Sequence, residues 1–289
     1  MLRVQLWGTR GSITTPGEAT SRYGGNTSCV ELTYSEQVEP GSTIGRDSSH
    51  LILDAGSALD DQQAIQMKGP CAQGQGEVHF FLSHYHWDHL MGLPFYPPMF
   101  IAGNRIHFYA SSVEDLQSTI NRLFTSCYSP SEESLQADFE YHAVEAEGMD
   151  VADFHVTATH ANHSSKAFSF RVQCGSTSVV YTPDHGVGDA ETDAALIDSA
   201  RDADVWVLNA SFTEEEKKGR EGWGHSSHIE ATKLALEAGV KTAVLTHHSP
   251  DHDDTMLDQM GDEAKEFAAG SQTTVRMARD KMVIDIDRL

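Results

Sequence analysis

Six consecutive positions, His84-Tyr85-His86-Trp87-Asp88-His89, bring three imidazoles and one carboxylate together. Imidazole nitrogen and carboxylate oxygen are donors that a borderline divalent cation accepts. The stretch follows Val78-His79-Phe80-Phe81-Leu82, an apolar run with the length and composition of a buried strand. While the backbone stays extended, side chains two apart point the same way, so His84 and His86 aim at one ion. A helix starting near Trp87 puts Asp88 and His89 in its first turn, facing a neighbouring point. A single histidine is ordinarily a surface or hydrogen-bonded core residue. Four ligating side chains within six positions at a strand end point to metal chemistry instead.

The pattern is H-x-H-x-D-H, and on it the chain resembles the metallo-β-lactamase superfamily. That resemblance implies three further ligands downstream. A strand over Phe154 to Thr159 delivers His160-Ala161-Asn162-His163. The family pattern sets its ligand a few residues before a strand with an aromatic-Arg pair, here Phe170-Arg171, which implies His163 and leaves His160 as a loop residue. Asp184, in Thr182-Pro183-Asp184-His185-Gly186, falls where the family has a carboxylate between two metals. Only a carboxylate, with two anionic oxygens, offsets two dications at once; a capping Asp is the alternative. His247, after the strand Thr242 to Leu245, fits the last ligand. Asp54, in Asp54-Ala55-Gly56-Ser57 after the strand His50 to Leu53, matches a motif whose Asp orients the metal loop by hydrogen bonds; a helix cap competes. The implied ligand sets are His84, His86 and His163 for one ion and Asp88, His89 and His247 for the other, with Asp184 shared. The implied cofactors are two divalent ions, zinc first, with manganese or iron also compatible.

His225 decides the branch. It lies in Gly222-Trp223-Gly224-His225-Ser226-Ser227-His228, one helix and one strand before His247. This is similar to the stretch carrying the catalytic histidine of the tRNA 3′-processing endonuclease and its phosphodiesterase relatives. The implied role is a general acid that protonates a basic alkoxide leaving group; a plain residue at a helix N-terminus is the alternative. Trp7-Gly8-Thr9-Arg10-Gly11-Ser12 and Tyr23-Gly24-Gly25-Asn26-Thr27-Ser28-Cys29 resemble the N-terminal signature of the same branch. They imply a substrate cleft lined by backbone N–H groups and Asn26, or else turns alone; His248 is a second candidate contact for substrate. After His247 the tRNA endonuclease has Ser-x-Arg-Tyr, whereas this chain reads Ser249-Pro250-Asp251-His252. No basic, glycine-rich arm is present to grip tRNA. The expected activity is therefore hydrolysis of a small phosphodiester, such as a cyclic nucleotide or phosphoribosyl cyclic phosphate. Two cations about 3.5–4 Å apart would acidify a shared water, with Asp88 and Asp184 catalytic through the metals. A thioester, lactone or carboxylic ester hydrolase and a tRNA 3′-end endonuclease are the alternatives. A non-catalytic binding protein ranks last, because all seven ligands are present. Roles for His160, His185, His228 and His252 stay open.

The elements needed to position these groups are legible from periodicity. Strands are expected at Leu2 to Trp7, Cys29 to Tyr34, Arg105 to Ala110, Ala167 to Gln173, Ser178 to Tyr181, Val205 to Leu208, Thr273 to Met277 and Met282 to Ile286. Helices are expected at Ala58 to Met67, Val113 to Phe124, Ile229 to Ala238 and Asp253 to Ala268. Ser227 and Glu230 form a capping box ahead of Ile229, and Gly239 stops that helix. The stretches Glu36 to Ser49 and Ser126 to Asp138, and Asn209-Ala210-Ser211-Phe212 with its Glu/Lys run, read as loops. The fold expected is one domain over residues 1–289, a four-layer αββα sandwich of two mixed sheets flanked by helices, with the site at one edge.

Lys plus Arg is 20 against 43 Asp plus Glu, a net charge of −23 that repels a long nucleic-acid backbone. The N-terminus has no signal-peptide pattern and no apolar run could span a bilayer. Cys29, Cys71, Cys127 and Cys174 form no C-x-x-C pair and read as reduced thiols of a cytoplasmic protein. Resemblance to dimeric relatives adds a possible homodimer.

Overall fold

Apolar side chains on both faces of most strands demand that each sheet be covered twice. A computed structural model describes residues 1–35, 49–125, 130–144 and 147–286. In chain order the elements are β1 (Leu2–Gly8), β2 (Cys29–Tyr34), β3 (Ser49–Leu53), α1 (Leu59–Gln66), β4 (Glu77–Phe81), β5 (Arg105–Ala110) and α2 (Val113–Leu123). Next come β6 (Asp138–Ala143), β7 (Met149–Val151), β8 (Phe154–Ala161), β9 (Ala167–Cys174), β10 (Thr177–Thr182) and α3 (Ala190–Ala200). The chain continues with β11 (Val205–Asn209), α4 (Glu214–Lys217), α5 (His228–Ala238), β12 (Thr242–Thr246), α6 (Asp254–Phe267), β13 (Thr274–Met277) and β14 (Met282–Ile286).

The strands form two seven-stranded mixed sheets, ordered β14-β1-β2-β3-β4-β5-β6 and β13-β12-β11-β10-β9-β8-β7. In the first, β14 to β3 pair antiparallel and β3 to β6 parallel. In the second, β10 to β13 are parallel and β7 to β10 antiparallel. The parallel strands β11 and β12 read Val-Trp-Val-Leu-Asn and Thr-Ala-Val-Leu-Thr, the near-continuous apolar pattern of strands covered on both sides. Leu2, Val4, Leu6, Leu32 and Phe81 of the first sheet pack on Phe170, Val172, Val179, Val207 and Val244 of the second. The outer face of the first sheet (Phe80, Ile106, Phe108) carries Leu59 of α1 and Leu116 and Ile120 of α2. Trp206, Leu208 and Leu245 of the second carry Leu196 of α3, Ala235 of α5 and Leu257 of α6. This is the αββα sandwich that the sequence leads one to expect. No helix among the described residues is long and apolar enough to cross a membrane.

Several local expectations differ. β6, β7 and α3 are additional elements. β6 hides because its inward row, Asp138, Glu140 and His142, is polar. The Glu/Lys run is no loose loop: Thr213 and Glu216 close a capping box on α4, and Asn209, Ala210, Ser211 and Phe212 before it are buried. Residues 36–48 and 126–129, with Cys127, lie outside the described residues; of the second loop, Glu132–Ser134 is a 3-10 turn and Asp138 opens β6. Cys29, Cys71 and Cys174 are buried.

Candidate metal centre

Each candidate ligand sits just beyond the C-terminal end of a strand, where side chains leave the packed layers. His84 and His86 follow β4 in extended backbone, and Trp87–His89 closes a 3-10 turn that carries Asp88 and His89. His163 follows β8, Asp184 follows β10 and His247 follows β12. Asp54, after β3, and His247 both adopt left-handed backbone, with φ of 58° and 60°. For non-glycine residues that conformation is strained and persists only where neighbours hold it.

Two groups of ligating atoms converge. In the first, His163 Nε2 lies 3.1 Å from His86 Nδ1 and 3.4 Å from Asp184 Oδ2, and His84 Nε2 lies 3.2 Å from the same oxygen. In the second, Asp88 Oδ2 is 3.3 Å from His89 Nε2 and 3.2 Å from His247 Nε2. Asp184 joins them, because its other oxygen, Oδ1, is 2.9 Å from His247 Nε2. Donors on a tetrahedral ion with bonds of about 2.1 Å sit roughly 3.4 Å apart, close to these spacings.

Hydrogen bonds aim four of the rings. His89 Nδ1–H donates to Asp54 Oδ2 at 2.7 Å and His163 Nδ1–H to the Gly224 carbonyl at 2.9 Å. Ser83 Oγ donates to Asp54 Oδ2 and accepts from His84 Nδ1 at 3.1 Å. Ser211 Oγ donates to the His247 carbonyl and accepts from His247 Nδ1 at 3.2 Å. Each acceptor fixes the tautomer, so the Nε2 lone pairs face the cluster, the outer-layer arrangement that metal-binding histidines require. His84 Nε2 and His89 Nε2 are buried with no hydrogen bond among the described residues. Buried nitrogen lone pairs aimed at carboxylate oxygens are costly without a cation between them. The residues therefore fit divalent metal ions.

The electrostatics agree. Burial alone would raise Asp88, but His89 and His247 hold it well below the carboxylate range, and Asp184 behaves likewise beside His247, His89 and His84. Burial opposes the charge on His247, yet Asp184 and Asp88 lift it to about 9, so without a metal ion a proton on Nε2 takes the place between the carboxylates that a cation would fill. Burial lowers His86 to about 4 and also lowers His163, leaving both neutral and ready to ligate.

Glycines make room. A Cβ on Gly11 would collide with the His247 ring. Gly224, at φ 79°, would drive one into His163 Nδ1. The first glycine-rich loop thus serves the ligands: Ser12 N–H donates to Asp88 Oδ2 at 2.7 Å. The Arg10 guanidinium is buried and bonded to the carbonyls of Gly24, Ser249 and His252.

His225 stacks on His247 with ring centroids 4.9 Å apart and meets His163 edge-on at 5.1 Å. Asn209 fixes its proton. Asn209 Oδ1 accepts from Ser226 N–H, and its amide nitrogen donates to the Pro183 carbonyl at 2.7 Å and shares its second hydrogen between His225 Nδ1 at 3.1 Å and Ser211 Oγ at 3.3 Å. His225 Nδ1 is an acceptor, so the ring is neutral with its proton on Nε2. Burial agrees, pushing the imidazolium down to about 3. This geometry favours a neutral imidazole that donates a hydrogen bond through Nε2. Lys217 of α4 pins the loop by donating to the His225 carbonyl at 2.6 Å.

Other expected residues lie elsewhere. His248, expected at the substrate, is fully buried, with Nε2 on the Ala278 carbonyl at 2.8 Å, so it has no surface to offer. Asn26 accepts from Ser57 Oγ, and its own carbonyl accepts from the backbone N–H groups of Thr9 and Arg10. It ties two loops together rather than standing free in a cleft. His160 is exposed and tilts over Phe168. His185 accepts from Asn162 N–H and faces Asp193, joining the loops of His163 and Asp184. His228 pairs with Glu263 and His252 with Glu216, both away from the cluster. Ser83, Tyr181, Asn209 and Ser211, which orient Asp54, His225 and His247, carry no sequence pattern of their own; a buried Asn-x-Ser directly after a strand was the available signal. A cavity of about 340 Å³ opens beside His84 and His86, walled by Asp115, Ser118 and Arg122 of α2 and by Ser165 and Lys166. Tyr85 Oη and Ser165 Oγ there are buried without a hydrogen bond among the described residues.

An αββα sandwich with imidazoles and carboxylates converging at one rim is the architecture of a metal-dependent hydrolase. Residues 50–248, more than half of the chain and inclusive of every candidate ligand, match the family described as Beta-lactamase superfamily domain, and the chain belongs to the metallo-β-lactamase superfamily. Ribonuclease Z of Brevibacillus brevis is 40% identical over 67 residues, which cover 23% of this chain and only 21% of that relative. Ribonuclease Z of Methanosarcina acetivorans is 24% identical over 336 aligned residues, covering 99% of this chain and 98% of the relative. The fold recurs in the metallo-β-lactamase fold protein YhfI of Bacillus subtilis, with a TM-score of 0.69, 22% identity and 98% of each chain covered.

Proposed function

We propose that the chain hydrolyses a small phosphodiester of the cyclic-nucleotide or phosphoribosyl cyclic phosphate kind, using two divalent ions, zinc first and manganese or iron as alternatives. The observation that carries this reading is the 340 Å³ cavity beside His84 and His86, with Arg122 and Lys166 in its wall. That volume is at the small end of ligand pockets, and two cations against the single carboxylate of Asp115 in its wall, on a chain of net charge −23, favour a compact anion. His84, His86 and His163 would hold one ion and Asp88, His89 and His247 the other, with Asp184 between them. Bound divalent ions supply Lewis acidity and a nucleophilic water at neutral pH. His225 donates a hydrogen bond through Nε2–H to charge developing on the phosphoryl or leaving oxygen, a contribution of about 10²–10³ in rate for one such donor. Arg122 and Lys166 orient the rest of the anion.

Cleavage of precursor tRNA is a second reading, favoured by the full-length match to a ribonuclease Z. Against it, the chain after His247 offers Asp251 and His252 where a phosphate-binding Arg would stand, and His252 is already paired with Glu216. Metal-replete protein should be assayed on bis(p-nitrophenyl) phosphate, cyclic nucleotides, thioesters, lactones and a precursor tRNA. Turnover of the diesters is expected; turnover of tRNA or thioesters with none on small diesters overturns the proposal.

A further inference from the structure

A second group of histidines lies on the inward face of β4, β5 and β6. β4, β5 and β6 run parallel, and their register sets His79 beside His107 and His107 beside Glu140, with Tyr109 beside His142. The outward row of these strands (Val78, Phe80, Ile106, Phe108) is buried under the helices. The inward row, which alternation would make apolar, is instead Glu77, His79, His107, Glu140 and His142. Three histidines and two glutamates on three adjacent strands that end at the sheet edge need a reason other than packing.

We propose that this row is a further transition-metal site, held by His107 Nδ1, His142 Nε2 and one oxygen of Glu140. The two nitrogens lie 3.2 Å apart, and Glu140 Oε2 is 3.5 Å from His107 Nδ1 and 3.7 Å from His142 Nε2. These spacings bracket the roughly 3.4 Å between donors on a tetrahedral zinc ion. Three protein donors with one open position make a complete set for that geometry. An outer layer is also built. His107 Nε2 lies 3.1 Å from Glu77 Oε1, a carboxylate behind the ring of the kind that supports metal-bound histidines, although the pair falls outside hydrogen-bond geometry. Glu77 is in turn paired with Arg105. His107 is sandwiched between His79 at 4.7 Å and His142 at 5.5 Å. His79 Nδ1 bonds Tyr109 Oη at 3.0 Å, and Tyr109 stacks on Phe81, so the row is anchored in the core. Burial and the neighbouring His107 lower His142, which disfavours its charged form. Imidazole ligands select zinc, nickel or copper and reject magnesium and calcium.

The test is a Zn²⁺ titration of protein that already holds its active-site metal, followed by mass spectrometry under native conditions and by the visible absorption of Co²⁺. One additional equivalent is expected, unaffected by excess Mg²⁺. His142→Asn should lose that equivalent while phosphodiester turnover and melting temperature stay unchanged. Glu77→Gln should weaken it by about 10–100-fold, the usual cost of removing a ligand's outer partner. His142 and Glu77 are both partly exposed, so neither change threatens folding. No additional equivalent in the wild type, or equal uptake by wild type and His142→Asn, overturns the assignment.

Discussion

Replacing Asp54 by asparagine tests whether the metal loop is organised from behind. Asp54 is fully buried and accepts four hydrogen bonds: Ser83 N–H at 2.8 Å on Oδ1, and Ser83 Oγ, Tyr181 Oη and His89 Nδ1 at 2.8, 2.8 and 2.7 Å on Oδ2. In the Asp54→Asn protein one of those oxygens becomes an NH₂ group. If it replaces Oδ1, it meets the Ser83 backbone N–H, a donor that cannot turn away. If it replaces Oδ2, the two hydroxyls can rotate to accept, but His89 must move its proton from Nδ1 to Nε2, the atom aimed at the cluster. Charge-assisted bonds exceed neutral ones by about 1 kcal/mol each, so four bonds give a loss of about 4 kcal/mol. Relief of a buried charge reduces this to roughly 2–3 kcal/mol. Metal affinity should fall by about 10–100-fold. Urea unfolding of the metal-free protein reads the first quantity and competition against a chromophoric chelator the second. An Asp54→Asn variant that unfolds at the wild-type urea concentration and keeps its metal as tightly would show that Asp54 does no more than end a strand.

Gly224→Ala should lower metal affinity on the His163 side without unfolding the chain, because the new methyl meets His163 Nδ1 in a backbone conformation only glycine adopts freely; unchanged metal content by mass spectrometry would refute it. His225→Ala should cut kcat by about 10²–10³, and the wild-type rate should show no fall with rising pH that disappears in the variant. Such a fall, through a pKa near neutrality, is what an imidazolium proton donor would produce and would restore that role. Stability should decline as pH climbs from about 4 to about 6, because burial lifts the Asp280 carboxyl from 3.8 to about 6. In that window the unfolded chain has released its proton while the fold retains it, a loss of about 3 kcal/mol in all. Asp280→Asn should flatten the urea-midpoint profile over that range, and a profile parallel to wild type would refute the assignment.

Much of the site is legible because ligands must be histidine or aspartate and must sit at strand ends, so type and periodicity coincide. His84 to His89 are visible on those grounds, as is α5, whose Ser227, Glu230 and Gly239 spell its limits; His163, Asp184 and His247 emerge only from the resemblance to the metallo-β-lactamase superfamily, because periodicity alone leaves His160 and a capping Asp as equal candidates. Supporting residues are opaque because serine, asparagine and tyrosine do many things. Nothing in Asn209 announces that its amide sets the protonation of His225, and the Glu/Lys run beside it looks solvated although it caps α4 and pins the His225 loop. His248 misleads for the opposite reason: adjacency to His247 suggests the cleft, yet the chain turns at His247 and buries the His248 ring against the Ala278 carbonyl. β6 escapes notice because its inward side chains are polar, and the same polarity marks it as a candidate metal site.

His84, His86, Asp88 and His89 belong to one sheet, His163, Asp184 and His247 to the other, and the Asp54–Tyr181 hydrogen bond crosses between them. A cation lodged there is a rivet through two plates. Chelation should let that rim gape while the shared interior, where Tyr109 of one plate and Val151 and Phe154 of the other lie in a single apolar cluster, stays shut. The rivet works both ways: an apolar truncation between the plates, such as Phe81→Ala, will slacken ligands it never touches.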